Sequence, residues 1–430
     1  MNAVEFNSLC VLGLGYIGLP TASSFATQGL RVLGVDVNPD IVETLRNGDV
    51  HIQEPGLRTL VQAAIRSGNL RVGAHPEPCD AYIIAVPTPI QEDQRADLSF
   101  VVAASQAITP HLRRGSLVVL ESTSPPRTTE GVVAPILEKS GLRAGTDFHL
   151  AYSPERVLPG QILRELIENA RVIGGVTRTS AEAGRDLYGV FVKGEIILTD
   201  ATTAEMVKLM ENTYRDVNIA VANEFARLAE RFGVDVWEAI ELANRHPRVS
   251  ILRPGPGVGG HCISVDPWFL VEAAPDLTPL IRTARQVNDG QPQHVASSIE
   301  EALRGLKGRR LSALGLSYKA EVDDLRESPA LEVCRLLAAR GAALATYEPF
   351  APTATVQGAR TAATLEEALR GAEAVILLVD HKSLRGIEPD AAARWMAGRF
   401  AFDTRGVWDR AAWKRAGFDL HVLGTGQRDG

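Results

Sequence analysis

The chain has 430 residues, 45% hydrophobic and 23% charged, an ordinary balance for soluble globular domains and enough length for two or three of them. A net charge of −7 with no basic stripe argues against a nucleic-acid or anionic-membrane partner. Four cysteines without CxxC spacing argue against a disulfide framework or a cysteine-based zinc site. No apolar run reaches bilayer length and the N-terminus lacks signal-peptide features, so a cytoplasmic protein is expected.

In chain order, "SLCVLGLG" (8–15) is a short apolar run ending in glycine, "YIGLPTASSFATQG" (16–29) is helix-like, and "LRVLGVDV" (30–37) is a second apolar run. Strand, glycine turn, helix, strand opens a doubly wound α/β domain. "AYIIAVP" (81–87), "SLVVLEST" (116–123) and "FHLAYSPE" (148–155) continue it as buried strands. This domain is expected to occupy 1–199.

"DATTAEMVKLMENTYRDVNIAVANEFARLAERFG" (200–233) predicts one helix of roughly 30 residues. Thr202 and Glu205 read as its capping box. Met206, Met210, Thr213, Val217, Val221, Phe225, Leu228 and Phe232 form an apolar stripe, long enough to bridge domains or to pack against a twin. Further helical sequence runs to about 305, giving a central helical domain over 200–307. From 308 to 430 the opening pattern returns: "RRLSALGLSY" (309–318) resembles "SLCVLGLGY" (8–16). A helix, a strand, a helix and strand, and a last strand in "RFAFDTRG" (399–406) follow. In this copy Ser317 stands where Gly15 does and no third glycine follows, so the scaffold is kept and the dinucleotide fingerprint lost. The expected fold class is α/β, with two Rossmann-like, doubly wound parallel-sheet domains joined by the long central helix and its helical domain.

The motif "GLGYIG" supplies Gly13, Gly15 and Gly18 as GxGxxG, with Tyr16 and Ile17 between them. Glycine allows the tight turn, the close approach of a pyrophosphate and close helix–strand packing. Asp36 ends the next strand at the expected offset. A carboxylate there accepts hydrogen bonds from ribose hydroxyls and repels a 2′-phosphate, favouring NAD over NADP. Pro87 and Thr88 in "VPTP" and Thr123 in "ESTSPP" follow strands, where ligands of such sheets bind. Loop punctuation is the other reading of these residues, and Thr88 alone does not decide between them. Glu155 in "YSPER" follows another strand. Lys208 and Asn212 share one helix face, away from the apolar stripe, and read either as a solvated face or as site donors.

"PGPGVGGHC" (254–262) sets a cysteine among four glycines. Cys262 reads as a nucleophile presented to a ligand, as a small buried hydrophobe or, with His261, as a metal ligand; no Cys/His cluster with ligand spacing accompanies them. Asp266 is a polar partner within reach. An NAD enzyme with a presented thiolate can trap an aldehyde as a thiohemiacetal and oxidise it on to a thioester.

Together these motifs, with SPER (153–156), AEMVKLMEN (204–212) and DDLRESPA (323–330), resemble the UDP-glucose/UDP-N-acetylmannosamine dehydrogenase family over nearly the whole chain. "ERVLPG" (155–160), "ANRHPRV" (243–249) and "GGHCISVDPW" (259–268) are most similar to its UDP-N-acetyl-D-mannosamine branch; where the UDP-glucose enzymes typically carry a lysine before the aspartate, Val265 stands here. The resemblance implies four-electron oxidation of a UDP-sugar at C6, with NAD as cofactor and no metal, for surface-polysaccharide precursors. It implies Cys262 as nucleophile, Lys208 and Asn212 as oxyanion donors, and Asp266 positioning a water or base. Glu155 would assist thioester hydrolysis, with Thr123 holding a water. Arg326 would reach the cofactor. Arg156, Val157, Gly259, Tyr318 and Lys319 would line the substrate, and Arg248 would reach the partner subunit's site. A homodimer through the central helix is implied as well. Rival readings are a two-electron β-hydroxyacid dehydrogenase, an NAD or nucleotide sensor, and a dehydrogenase of UDP-N-acetylglucosamine, its galacto epimer or UDP-glucose.

Overall fold

The computed structural model describes residues 5–91, 93–260 and 262–426. The chain divides into two compact units, 1–211 with 268–275, and 212–267 with 276–430.

The first unit is built on eight strands: β1 (Ser8–Leu12), β2 (Arg31–Val35), β3 (Leu70–Gly73), β4 (Ala81–Ile84), β5 (Leu117–Leu120), β6 (His149–Tyr152), β7 (Arg171–Gly175) and β8 (Ile196–Asp200). They pair in the order β3-β2-β1-β4-β5-β6-β7-β8, parallel except for β6 against β7. Side chains alternate across a strand, so β1 feeds both faces of the sheet. Leu9 and Val11 join the core that holds Leu19 and Phe25, whereas Cys10 and Leu12 join the core that holds Tyr82 and Ile84. Burial on both faces explains why these strands read as continuous apolar runs. Several strands depart from that pattern at one or more positions, β2 by opening on the exposed Arg31. β3 and β8 carry exposed or half-buried positions, and β7 opens on a charged residue.

The second unit holds β9 (Arg310–Leu314), β10 (Ala343–Tyr347), β11 (Ala359–Thr361), β12 (Ala374–Leu377), β13 (Phe400–Asp403) and β14 (Asp419–Val422). The order is β11-β10-β9-β12-β13-β14, all parallel. The strand in "RFAFDTRG" is therefore not the last. β14 pairs with β13 at the sheet edge, and only Val422 of its four residues is buried, which removes the apolar signal. Helices Val236–Ala243, Pro279–Asp289 and Gln291–Leu303 and part of the long helix belong to this unit, beside the helices that connect its strands, Pro329–Ala339 the longest of them.

The repeat is topological as well as sequential. Gly13 follows β1 with φ 91°, and a Cβ on it would lie 2.5 Å from the Ala85 carbonyl oxygen. Gly315 follows β9 with φ 85°, and its Cβ would lie 2.5 Å from Val379 Cβ. Each glycine N–H donates to the last residue of the neighbouring strand: Gly13 to Val35 at 2.8 Å, Gly315 to Tyr347 at 2.9 Å.

The long helix runs over Ala201–Phe232, 32 residues. The capping box expected at Thr202 and Glu205 is not formed. Asp200 caps the helix instead, accepting from Thr203 N at 2.8 Å and Thr203 Oγ1 at 2.6 Å. The cap thus sits two residues upstream, and Glu205 lies beyond its reach. Glu205 is buried and accepts from Thr129 N at 2.8 Å and Thr129 Oγ1 at 2.6 Å. The apolar stripe is largely bare in this chain: Met210 (58%), Phe225 (40%), Leu228 (49%) and Phe232 (72%) are exposed, while alanines 220, 226 and 229 face inward. No helix among the described residues is long and apolar enough to cross a membrane.

Candidate active site

The turn after β1 has the form a dinucleotide needs. A Cβ on Gly18 would lie 1.8 Å from the Gly13 carbonyl oxygen, so the helix Gly18–Thr27 starts as close to the strand as a backbone allows. Gly15 has open space where its Cβ would be. The helix has no side-chain cap among the described residues; its Leu19 N–H turns back to the Gly15 carbonyl at 3.2 Å, and an uncapped start of this kind suits an anion. Tyr16 and Ile17 are half-buried beside it. Asp36, half-buried, accepts from Leu14 N at 2.9 Å and Asn38 N at 2.9 Å, which ties it to the glycine turn. These residues fit NAD: an open glycine, an uncapped helix start and an accessible carboxylate at the next strand end.

Two further loops meet at the strand ends. Thr88 Oγ1 donates to the Thr123 carbonyl at 2.7 Å, and Ser122 Oγ donates to the Val86 carbonyl at 2.7 Å. The threonines named from the sequence are thus joined; Pro87, between them and β4, is exposed. Past β6, the Glu155 side chain is 8% exposed. Its Oε1 accepts from Arg156 N at 2.7 Å and its carbonyl accepts from Lys208 Nζ at 2.8 Å. Arg156 in turn pairs with Glu211 at 2.7 Å, and Val157 packs on the core. Lys208 is 9% and Asn212 7% exposed, so the face they share is not a solvated one. The sequence could not show this, because a buried polar face and a solvated one have the same pattern.

In the second unit the glycine loop lies flat against Tyr318. A Cβ on Gly259 would lie 2.9 Å from Tyr318 Cβ, and one on Gly260 would lie 2.8 Å from Tyr318 Cε2. Gly260 N donates to the Arg326 carbonyl at 3.1 Å. At the other end of the loop, Gly255 is held by Asn223 Oδ1 at 3.0 Å and Gln291 Nε2 at 3.1 Å. Neither anchor stands out in the sequence, since each lies within a long helical stretch. Cys262 follows directly, half-buried, and its carbonyl accepts from Val265 N at 3.1 Å and Asp266 N at 2.8 Å. Asp266 is buried, opens the helix Asp266–Ala273 and accepts from Asn212 Nδ2. His261 lies outside the described residues.

Cys262 differs from the other three cysteines, which are all buried. Burial pushes Cys79 up to about 11 and Cys334 up to about 12, and Cys10 higher still. Those thiols are held protonated. Among the described residues no group of three or more His, Cys, Asp or Glu is arranged to hold a metal. Two predicted residues stand differently from the rest. The Arg326 guanidinium pairs with Asp324 at 2.7 Å, and Arg248 is exposed beyond the helix Val236–Ala243. Lys319 is half-buried, and its carbonyl accepts from Ser317 Oγ at 2.7 Å.

Sequence reasoning passed over one charged group altogether. Arg171, the first residue of β7, contacts both Glu155 and Glu121, and all three are buried at the side-chain level. The available signal was an arginine opening the run "RVIGG" and a glutamate closing "SLVVLE".

Comparison with known proteins matches three stretches of the chain to one family. Residues 7–192 match the NAD binding domain of the UDP-glucose/GDP-mannose dehydrogenase family, 202–290 its central domain and 312–410 its UDP binding domain. A UDP-N-acetyl-D-mannosamine dehydrogenase of Methanococcus maripaludis (strain C7) is 46% identical over 431 residues, 98% of each chain. An NDP-N-acetyl-D-galactosaminuronic acid dehydrogenase of Ralstonia solanacearum is 49% identical over 416 residues, 94% of this chain and 97% of that one. Among solved structures, the UDP-D-ManNAc dehydrogenase of Pyrococcus horikoshii is similar with a TM-score of 0.91 at 41% identity, covering 98% of this chain and all of that one.

Proposed function

The chain belongs to the UDP-glucose/GDP-mannose dehydrogenase family and is an NAD-dependent oxidoreductase of UDP-sugars, and from that premise we propose that it oxidises the C6 alcohol of UDP-N-acetyl-D-mannosamine to the carboxylate. The observation that carries the reading is the contrast among cysteines: three are buried, and the fourth, Cys262, ends a glycine loop half-buried at the foot of a helix. A thiol used only for packing has no need of that loop.

NAD, held by the Gly13–Gly18 turn and Asp36, supplies hydride acceptance when bound. The chain's residues do the rest. The alcohol, two NAD+ and one water give the carboxylate, two NADH and three protons. Cys262 sulfur adds to the C6 aldehyde, and loss of hydride from that adduct leaves a thioester, which water cleaves to release the thiol. Lys208 and Asn212, one helical turn apart, donate to the developing oxyanion. Asp266, bonded to Asn212, positions the water or base of the alcohol step. Glu155 assists thioester hydrolysis, and Thr123 holds the water. Arg326 reaches the cofactor; Arg156, Val157, Gly259, Tyr318 and Lys319 bind the sugar nucleotide. Residues 1–199 carry NAD, 200–307 the cysteine loop and subunit contacts, and 308–430 the UDP moiety.

Two features support the amino-sugar reading over UDP-glucose: Val265, buried before the aspartate, and relatives whose names carry a 2-acetamido sugar or its uronic acid. The galacto name in one of them makes the C2 and C4 epimers the closest rivals. The product, a UDP-hexosaminuronic acid, suits surface-polysaccharide synthesis in the cytoplasm, where four free cysteines stay reduced. The bare stripe of Met210, Tyr214, Val221, Phe225, Leu228 and Phe232 supports a homodimer through the long helix, with Arg248 reaching the partner's site.

The test is NADH yield with limiting UDP-N-acetylmannosamine. Wild type is expected to give two NADH per sugar, and Cys262→Ser to lose about a thousandfold or more in rate. One NADH per sugar in the wild type would end the thioester scheme. Two from UDP-N-acetylgalactosamine, UDP-N-acetylglucosamine or UDP-glucose, and none from the manno sugar, would keep the scheme and replace the substrate.

A further inference from the structure

Behind Glu155 lies a charge cluster that the scheme above leaves unused. The Arg171 side chain is 5% exposed at the start of β7. Its Nη1 donates to Ser153 Oγ at 2.9 Å and to Glu121 Oε1 at 3.1 Å, and its Nη2 donates to Glu155 Oε2. The guanidinium carbon stands 4.2 Å over the Tyr188 ring, and the Tyr188 hydroxyl donates to the same Glu121 oxygen at 2.9 Å. The guanidinium is thus held by Ser153, Glu121 and Glu155 and covered by the Tyr188 ring. Toward the neighbouring β4, the Glu121 N–H donates to the Ile84 carbonyl at 2.9 Å.

One guanidinium thus serves two carboxylates. Burial raises the Glu121 carboxyl well above the ordinary carboxylate range; Arg171 opposes this and Glu155 adds to it. Burial works against the charge of Arg171, and Glu155, Tyr188 and Glu121 more than restore it. The other oxygen of Glu121, Oε2, is buried with no partner among the described residues. The fully buried carboxyl is thus the one whose charge is least supported, and the fork on Glu155 is the contact left to direct a side chain at the strand end.

We propose that Arg171 is a positioning residue for Glu155: locked between Ser153, Tyr188 and Glu121, its guanidinium fixes the direction in which Glu155 presents its carboxylate, and Glu121 sets how that guanidinium is shared. The inference rests on the role given to Glu155 in thioester hydrolysis. A lysine at 171 keeps the charge but has a single nitrogen and cannot fork across two carboxylates.

The experiment compares Arg171→Lys, Glu155→Gln and the double variant, with melting curves and NAD binding confirming the fold. The readouts are kcat against KM and the amount of thioester trapped on Cys262, weighed as intact protein after quenching. Arg171→Lys is expected to lower kcat by about tenfold to a hundredfold, leave KM within about twofold and accumulate thioester; the double variant should be no slower than Glu155→Gln. Wild-type turnover in Arg171→Lys beside a slow Glu155→Gln, or effects that multiply in the double variant, would overturn the positioning role alone. An unimpaired Glu155→Gln would remove the role of Glu155, and that of Arg171 with it. If Arg171→Lys does not fold, Glu121→Gln serves. It fixes the buried carboxyl in a neutral form, so the inflection that Glu121 ionisation gives to the pH profile of kcat should vanish. A profile superimposable on wild type would count against the proposal.

Discussion

Over six strands the two sheets share an order, together with a glycine after the first strand and a carboxylate after the second, yet only the first carries a dinucleotide turn. In the first unit Asp36 gives one oxygen to Leu14 N and remains half-exposed. In the second, Glu348 occupies the equivalent place, accepting from Leu316 N at 2.7 Å, and is 2% exposed. Its Oε2 also accepts from Ser317 N at 3.0 Å and lies 3.1 Å from His381 Nε2, while its Oε1 accepts from Phe350 N at 2.9 Å. The carboxylate left half-exposed in one copy is turned inward in the other, stapling a turn that keeps its first glycine and lost the other two. A Rossmann topology therefore says little about cofactor until the spare acceptors of that one carboxylate are counted.

The comparison is broken most directly at Glu348. Glu348→Ala leaves two buried backbone N–H groups, the part-buried Phe350 N–H and His381 without this acceptor and should cost about 3 kcal/mol or more in urea unfolding, with NAD affinity unchanged by calorimetry. A loss of NAD affinity there would mean that the second carboxylate is not purely structural. Asp36→Ala should do the reverse. About tenfold or more of NAD affinity is expected to go, because hydrogen bonds to a charged group are the strong ones, while stability falls by less than for Glu348→Ala, about 1 kcal/mol for the Leu14 N–H left unpaired. Unchanged NAD binding would place the ribose elsewhere.

The smallest effect is one of sign. Although burial opposes it, hydrogen bonds from His381, Leu316 and Phe350 hold the Glu348 carboxyl below its ordinary value of 4.5. Its stabilisation is thus present above about that pH and lost as pH falls through the folded-state value. Burial raises Glu121, so its contribution is present below the ordinary value and lost as pH rises through the folded one. Wild type and Glu348→Gln should converge in stability toward acid, with wild type the more stable toward alkali; wild type and Glu121→Gln should also match in acid, but there the variant should become the more stable toward alkali. Gaps of the same sign toward alkali would erase the distinction.

The sequence showed what burial makes loud. β1, β2, β4, β5 and β6 are covered on both faces and spelled themselves as apolar runs, and Gly13 and Gly18 of the first turn are required by contacts under 3 Å. The short or half-covered strands β3, β8, β11 and β14 carry no such signal. Glu205 was assigned to a cap by its spacing, whereas tertiary contacts with Thr129 claimed it. Lys208 and Asn212 were legible as a pair but not as buried. Arg171 was invisible, because its meaning depends on Glu121 and Glu155, 50 and 16 residues away.

The boundary between the compact units falls inside the long helix, between Glu211 and Asn212. Lys208 and Asn212 are consequently spaced by helical pitch, about 6 Å along the axis, rather than by the fit of two loops. Such a ruler tolerates substitution but not a change of length. One residue inserted between them would rotate everything beyond by about 100°, carrying the amide off the shared face and re-aiming the bare stripe in the same stroke. Over the three residues between them the protein is freer to evolve in letters than in number.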